Sequence, residues 1–194
     1  TLIGPRTGWG NRQFLPERVA PGAVSFEWTS LERPGEVQYD LEIRPKDGPW
    51  RAHRPERIGT AQDLLGREVL RTTLPGELFK PGETYSWRIM AKCGIALLRF
   101  GPGLFQVVSA EDWGTTEKQA AALCRTPIAL GAFYEGEGYF APGRAQYERA
   151  LALDKTATSY LILADLYEAL ELSPLAEVAR KKAEQQRATT RAAG

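Results

Sequence analysis

The stretch Phe79-Lys80-Pro81-Gly82-Glu83-Thr84-Tyr85-Ser86-Trp87-Arg88-Ile89-Met90-Ala91 decides how the first half of this chain is read. Past the Pro81-Gly82 turn, Tyr85, Trp87, Ile89 and Ala91 fall at every second position. Side chains alternate between the two faces of an extended strand, so this spacing buries one face and wets the other. The same alternation links Val24, Phe26 and Trp28, then Val37, Tyr39, Leu41 and Ile43, then Phe105 and Val107. Turn signals separate these runs at Pro34-Gly35, Asp47-Gly48-Pro49, Pro75-Gly76 and Gly101-Pro102-Gly103. Short alternating strands punctuated this often predict an antiparallel β-sandwich.

The quoted stretch resembles the E–F corner and F strand of a fibronectin type III domain. In that family a corner tyrosine folds back and bonds backbone through its hydroxyl. Tyr85 matches it, Trp28 matches the core tryptophan of the second strand, and Tyr39 matches the third-strand tyrosine. The resemblance covers residues 18–110 and implies an immunoglobulin/fibronectin-like sandwich there. Residues 1–17 precede it as an arm or extra strand. Residues 44–68 are long for the family, and Thr60-Ala61-Gln62-Asp63-Leu64-Leu65 reads as a helical turn capped by Thr60.

Composition changes near residue 110. The first 110 residues hold 13 of the 19 glycines, 10 of the 13 prolines and four of the five tryptophans. The remainder holds 18 alanines against 7 before it, and alanine favours helix. The second half is expected to be all-α over residues 111–188, with a tail at 189–194. Thr116-Glu117-Lys118-Gln119 has the form of a capping box. Thr126-Pro127 and Ser173-Pro174 each place a cap before a proline at the first helical position. Helices are predicted near 116–125, 127–136, 142–153, 158–170 and 174–188, joined by short connections that favour antiparallel neighbours.

Leu130-Gly131, Tyr134, Gly138, Phe140, Tyr147 and Ala150 keep the spacing of a tetratricopeptide repeat, and the segment resembles that family. Leu163-Ala164, Tyr167, Ala176 and Ala183 repeat the pattern 33 residues later. Gly143, Lys155 and Arg180 depart from the family's preferred alanine, proline and aromatic residue. The resemblance implies a partner-binding groove lined by Arg125, Ile128, Ala132 and Glu135, then Thr158, Leu161, Asp165 and Glu168. A merely solvated helix face is the alternative. Family members that grip a C-terminal carboxylate use lysine and asparagine on these faces. None stands there in this chain, so that ligand is not expected.

Charge is balanced overall, 25 basic residues against 24 acidic, so no whole-protein field attracts nucleic acid or anionic surfaces. It is unevenly spread. Residues 111–179 carry 5 basic and 11 acidic residues, whereas 180–194 carry Arg180, Lys181, Lys182, Arg187 and Arg191 against Glu184 alone. That basic tail either opposes the dipole at a helix C-terminus or docks on an acidic neighbour or lipid headgroups. Trp50, Arg51, Arg54 and Arg57 form a basic aromatic loop of a kind that can stack bases. Glu56 and Asp47 dilute its charge, and nucleic acid is not expected as a partner.

One histidine and two cysteines leave little material for a metal cage or nucleophilic catalysis, and no metal or cofactor is expected. His53 reads as a solvated loop residue. Cys93 and Cys124 read as small core residues, with a disulfide as the alternative. No apolar run approaches the roughly 18–20 residues of a membrane helix. The expected function is a non-catalytic structural or accessory subunit that contacts other protein subunits. A transient adaptor for peptide segments and a hydrolase or carbohydrate-active protein are the alternatives. The architecture resembles bacterial envelope proteins that join such a sandwich to short helical repeats. That resemblance implies an extracytoplasmic or periplasmic location, with peripheral membrane association through partners or a removed leader.

Overall fold

A computed structural model describes residues 2–4, 8–10, 13–31, 37–54, 58–62, 68–123, 125–169 and 172–193. The chain is β-rich in its N-terminal part and helical in its C-terminal part. It divides into two compact units, Thr1–Trp113 and Gly114–Gly194.

Eleven strands are described in the first unit: β1 (Leu2–Gly4), β2 (Gly8–Gly10), β3 (Gln13–Leu15), β4 (Glu17–Val19), β5 (Val24–Thr29), β6 (Val37–Pro45), β7 (Arg51–His53), β8 (Gly59–Gln62), β9 (Glu68–Leu74), β10 (Thr84–Cys93) and β11 (Ala96–Val107). One sheet runs β1-β5-β9-β8 and the other β4-β11-β10-β6-β7, while β2 and β3 pair alone. Only the β4–β11 pairing is parallel among the described strands. Before residue 18, β1 pairs with β5, Leu2 opposite Trp28.

Both sheets contribute to one core. Phe26 and Trp28 from β5 and Leu70 from β9 meet Leu41 and Ile43 from β6, Trp87 and Ile89 from β10, and Phe105 from β11. Phe26 packs edge-on against Trp87, with ring centroids 5.1 Å apart, and against Phe105 at 5.6 Å. Edge-to-face aromatic pairs gain beyond their buried area. The alternation read from the sequence is therefore the alternation that fills the core. Glu27 breaks it, buried on the opposite face, and Arg71 of β9 binds its carboxylate.

At the corner before β10, Tyr85 is buried. Its hydroxyl accepts from the Lys80 backbone N–H at 2.9 Å and donates to Glu83 at 2.7 Å. The ring stacks on Phe105 and meets Phe79 edge-on.

Three expectations for this unit are corrected. Thr60 caps no helical turn: it lies in β8 opposite Leu70, where the β9 edge offers backbone partners for residues 59–62. Residues 63–65 of that turn lie outside the described residues. The segment from Arg51 is no loop, because Arg51–His53 pairs with β6 as β7. His53 is accordingly half-buried in a strand. Burial, then the Arg51 charge, hold its imidazole below the ordinary histidine range.

The second part contains α1 (Ala110–Leu123), α2 (Pro127–Gly136), α3 (Phe140–Leu153), α4 (Ala157–Ala169) and α5 (Ser173–Ala193). The start of α1 lies six residues before the expected one. Ser109 Oγ accepts from the Asp112 backbone N–H at 3.0 Å and donates to the Asp112 carboxylate at 2.7 Å, so this pair supplies the cap. Thr116 is buried within the helix instead of capping it. The division between the two compact units falls inside α1, between Trp113 and Gly114. Thr126 does cap α2, accepting from Ala129 N at 3.2 Å with Pro127 at the first position. Residues 189–193 form no separate tail, since α5 continues through them.

Candidate helical interaction surface

Helix α2 packs on α3 as one hairpin and α4 on α5 as a second, with α3 also contacting α4. The 33-residue displacement seen in the sequence recurs in the bonding. Tyr139 N donates to Tyr134 O at 2.8 Å, and Leu172 N donates to Tyr167 O at 2.8 Å. Gly143 N donates to Tyr139 O, and Ala176 N donates to Leu172 O. Tyr134 and Tyr167, Gly143 and Ala176, and Ala150 and Ala183 are buried in matching pairs. Small residues permit the helices of each hairpin to approach. A Cβ built on Gly131 would collide with the Tyr147 ring, so glycine is required opposite that tyrosine.

The acids of the expected groove are each committed to a neighbour. Glu135 accepts from the Tyr147 hydroxyl at 2.8 Å. Burial first, then this carboxylate, hold the Tyr147 hydroxyl protonated well above the ordinary phenol range. At the equivalent positions of the second hairpin, Glu168 accepts from Arg180 at 3.1 Å. The same guanidinium lies 3.9 Å from Asp165. One glutamate position thus meets a donor from the following helix in both hairpins, a phenol in one and a guanidinium in the other. Arg180 therefore belongs to the α4–α5 interface rather than to a free basic tail.

The remaining candidates divide by helix. On α2, Ala132 is exposed while Ile128 is half-buried, one turn apart. On α4, Thr158 and Asp165 are exposed and Leu161 between them is half-buried. Arg125 is exposed just before α2. Each helix therefore presents a partly apolar stripe with polar flanks. The two stripes lie on successive hairpins linked through the α3–α4 packing. Leu123 is exposed at the end of α1.

The other candidates are engaged differently than expected. The guanidiniums of Arg44 and Arg88 lie over the Trp50 ring, 4.6 and 4.1 Å from its centroid. These cation–π contacts occupy ring surface that a stacked base would need. Arg54 lies 3.5 Å from Asp40, Arg51 sits in β7, and Arg57 lies outside the described residues. Lys181 approaches Glu177 at 4.0 Å, Lys182 is half-buried, and Arg187 and Arg191 project from the last turns of α5. Cys93 is a free, half-exposed thiol rather than a core residue, and Cys124 lies outside the described residues.

A cavity of about 240 Å³ opens at the sheet edge, lined by Ser30, Tyr39, Thr60 and Glu68 among others. Its described lining carries one carboxylate and no carboxylate pair. Among the described residues, no group of three or more His, Cys, Asp or Glu could hold a metal ion, and no helix is long and apolar enough to cross a membrane. No protein-family model matches the chain, and no curated protein matches it.

Proposed function

We propose that this chain is a non-catalytic interaction subunit, a fibronectin type III-like sandwich followed by tetratricopeptide-like helical hairpins, acting as a structural or accessory component of a larger assembly. The observation that carries the reading is the duplicated hairpin, with matching buried positions and matching glutamate–donor contacts 33 residues apart. A duplicated scaffold of this kind holds its outward stripes in fixed relation while their residues remain free to vary. The Tyr85 corner and the two-sheet aromatic core support the sandwich half of the reading.

The proposed contact surface is the stripe of Ile128, Ala132, Thr158, Leu161 and Asp165. Its partner is a protein segment with one apolar anchor and a flanking Lys or Arg. Arg180 lies 3.1 Å from Glu168 but 3.9 Å from Asp165, so Asp165, exposed and the more weakly engaged of the two, is the acid best placed to meet that cation. The anchor supplies most of the affinity by desolvation, and the charge sets approach rate and orientation. The setting we propose is a bacterial envelope assembly, on architectural resemblance alone.

Titration against a peptide array of apolar-anchored basic segments tests the reading. Ala132→Arg should weaken binding of the selected peptide by about tenfold or more, the effect of one misfitted anchor contact. Asp165→Lys should lower the association rate more than it raises dissociation. Leu78→Ser, in the first unit, should leave binding unchanged. Peptides that bind both stripe variants as tightly as the unaltered chain would contradict the reading.

A further inference from the structure

The end of the β10–β11 hairpin is the largest exposed apolar feature among the described residues that the helical reading does not use. Gly94 turns the chain with φ +58°, a conformation favouring glycine. Ile95 at the turn is fully exposed, and Leu97 and Leu98 are 57% and 43% exposed. Register places the two leucines on opposite faces. Leu97 lies opposite Lys92, and Leu98 lies opposite Ala91. The core ends at Ala91, which is fully buried, so the hairpin beyond it projects with apolar side chains on both faces.

Along the hairpin's own two strands charge has one sign. From Thr84 to Ala110 the sequence holds Arg88, Lys92 and Arg99 and no Asp or Glu. Arg88 is bound to Glu42, deeper in the sheet. Lys92 and Arg99 are exposed near the tip. Asp40, on the neighbouring strand, lies beside Arg54. Ile95 is three residues from Lys92 and four from Arg99, at most about 10 and about 13 Å of extended chain. Long basic stems keep their charge at a polar boundary while apolar neighbours sink past it.

We propose that this hairpin tip inserts into the interfacial region of an anionic lipid bilayer, with Ile95, Leu97 and Leu98 entering the acyl boundary and Lys92 and Arg99 contacting the headgroups. The surface is separate from the helical stripe and does not depend on the function proposed for it. Three aliphatic side chains and two cations give reversible attachment, weaker than stable anchoring, which needs two strong signals.

Cosedimentation of the full chain with phosphatidylcholine vesicles, with and without phosphatidylserine, tests the proposal at millimolar accessible lipid. Binding should require phosphatidylserine. Ile95→Asp should weaken it by about tenfold or more, through lost apolar transfer. Lys92→Gln and Arg99→Gln should each weaken it about fivefold, the effect of one basic residue near an anionic surface. All three positions are exposed or at the hairpin end, and unchanged thermal unfolding would show that the fold is intact. An Ile95→Trp variant should show blue-shifted emission on adding the anionic vesicles. Absence of vesicle binding by the unaltered chain, equal binding to neutral vesicles, or binding insensitive to Ile95→Asp would each overturn the proposal. So would a concentration-dependent self-association abolished by Ile95→Asp without vesicle binding, which would make the tip a contact between copies.

Discussion

Tyr85 and Tyr147 do different work with the same phenol. Tyr85 closes a corner: its hydroxyl takes the Lys80 N–H and gives its proton to Glu83. Tyr85→Phe keeps the ring and its stacking on Phe105 but removes both bonds. Thermal or urea unfolding should show a loss of about 1–2 kcal/mol, the usual cost of a deleted hydrogen bond whose partner loses its acceptor. Tyr147 is a pH-linked residue. Its folded pKa is raised from the ordinary 10.0, by burial first and then by Glu135. The folded chain therefore retains a proton that the unfolded chain releases above pH 10, and the stabilisation is fully present below that pH. Stability should fall as pH rises from 10 toward the folded pKa, seen as a declining urea midpoint. Tyr147→Phe should flatten this decline, while an equally steep decline in that variant would contradict the assignment. Tyr85, also raised chiefly by burial, contributes in the same direction. The corner bond at Tyr85 was expected from the resemblance of the Phe79–Ala91 stretch to a fibronectin type III corner, whereas alternation alone fixed only which face the ring takes. The role of Arg180 was not, because departure from an aromatic preference says nothing about what the new side chain touches. The 33-residue shift held the missing clue: it maps Tyr147 onto Arg180 and Glu135 onto Glu168, two donor–acceptor pairs.

Elements were readable where side-chain periodicity and turn chemistry agreed. The strands at Val24–Thr29, Val37–Pro45 and Thr84–Cys93 follow their alternation, and Thr126-Pro127 starts α2 where a cap and an N1 proline coincide. The readings that failed had two local solutions. Thr60-Ala61-Gln62 can cap a turn or extend, and an available β9 edge selects the strand. Thr116 offers a capping box, but Ser109 and Asp112 offer a cap seven residues earlier and retain Trp113 and Thr116 within the helix. The consequence is measurable. Ser109→Ala should destabilise the start of α1 by about 1 kcal/mol, the typical value of a lost N-cap. Hydrogen exchange at residues 110–114 should quicken. Thr115→Ala, at an exposed mid-helix position, should be near neutral. Faster exchange after Thr115→Ala alone would place the helix start where the later threonines first suggested it.

At the scale of the molecule, the change in composition near residue 110 reported a real change of architecture, since glycine, proline and aromatic residues punctuate the strands while alanine lets helices approach. Exposure was harder to read. The run Ile95-Ala96-Leu97-Leu98 is too short to span a membrane, and its projection past the core follows from strand register, which sequence pattern alone does not show. The central claim is that the duplicated helical hairpins present the surface by which this chain contacts a protein partner. Hydrogen exchange of the full chain, alone and with a saturating peptide selected from the array, tests it most directly. The account predicts slowed exchange across 127–136 and 157–169, with the strand amides of 24–29 and 84–93 unchanged. Protection confined to the strands, or no change in either helical segment while the peptide remains bound, would contradict it.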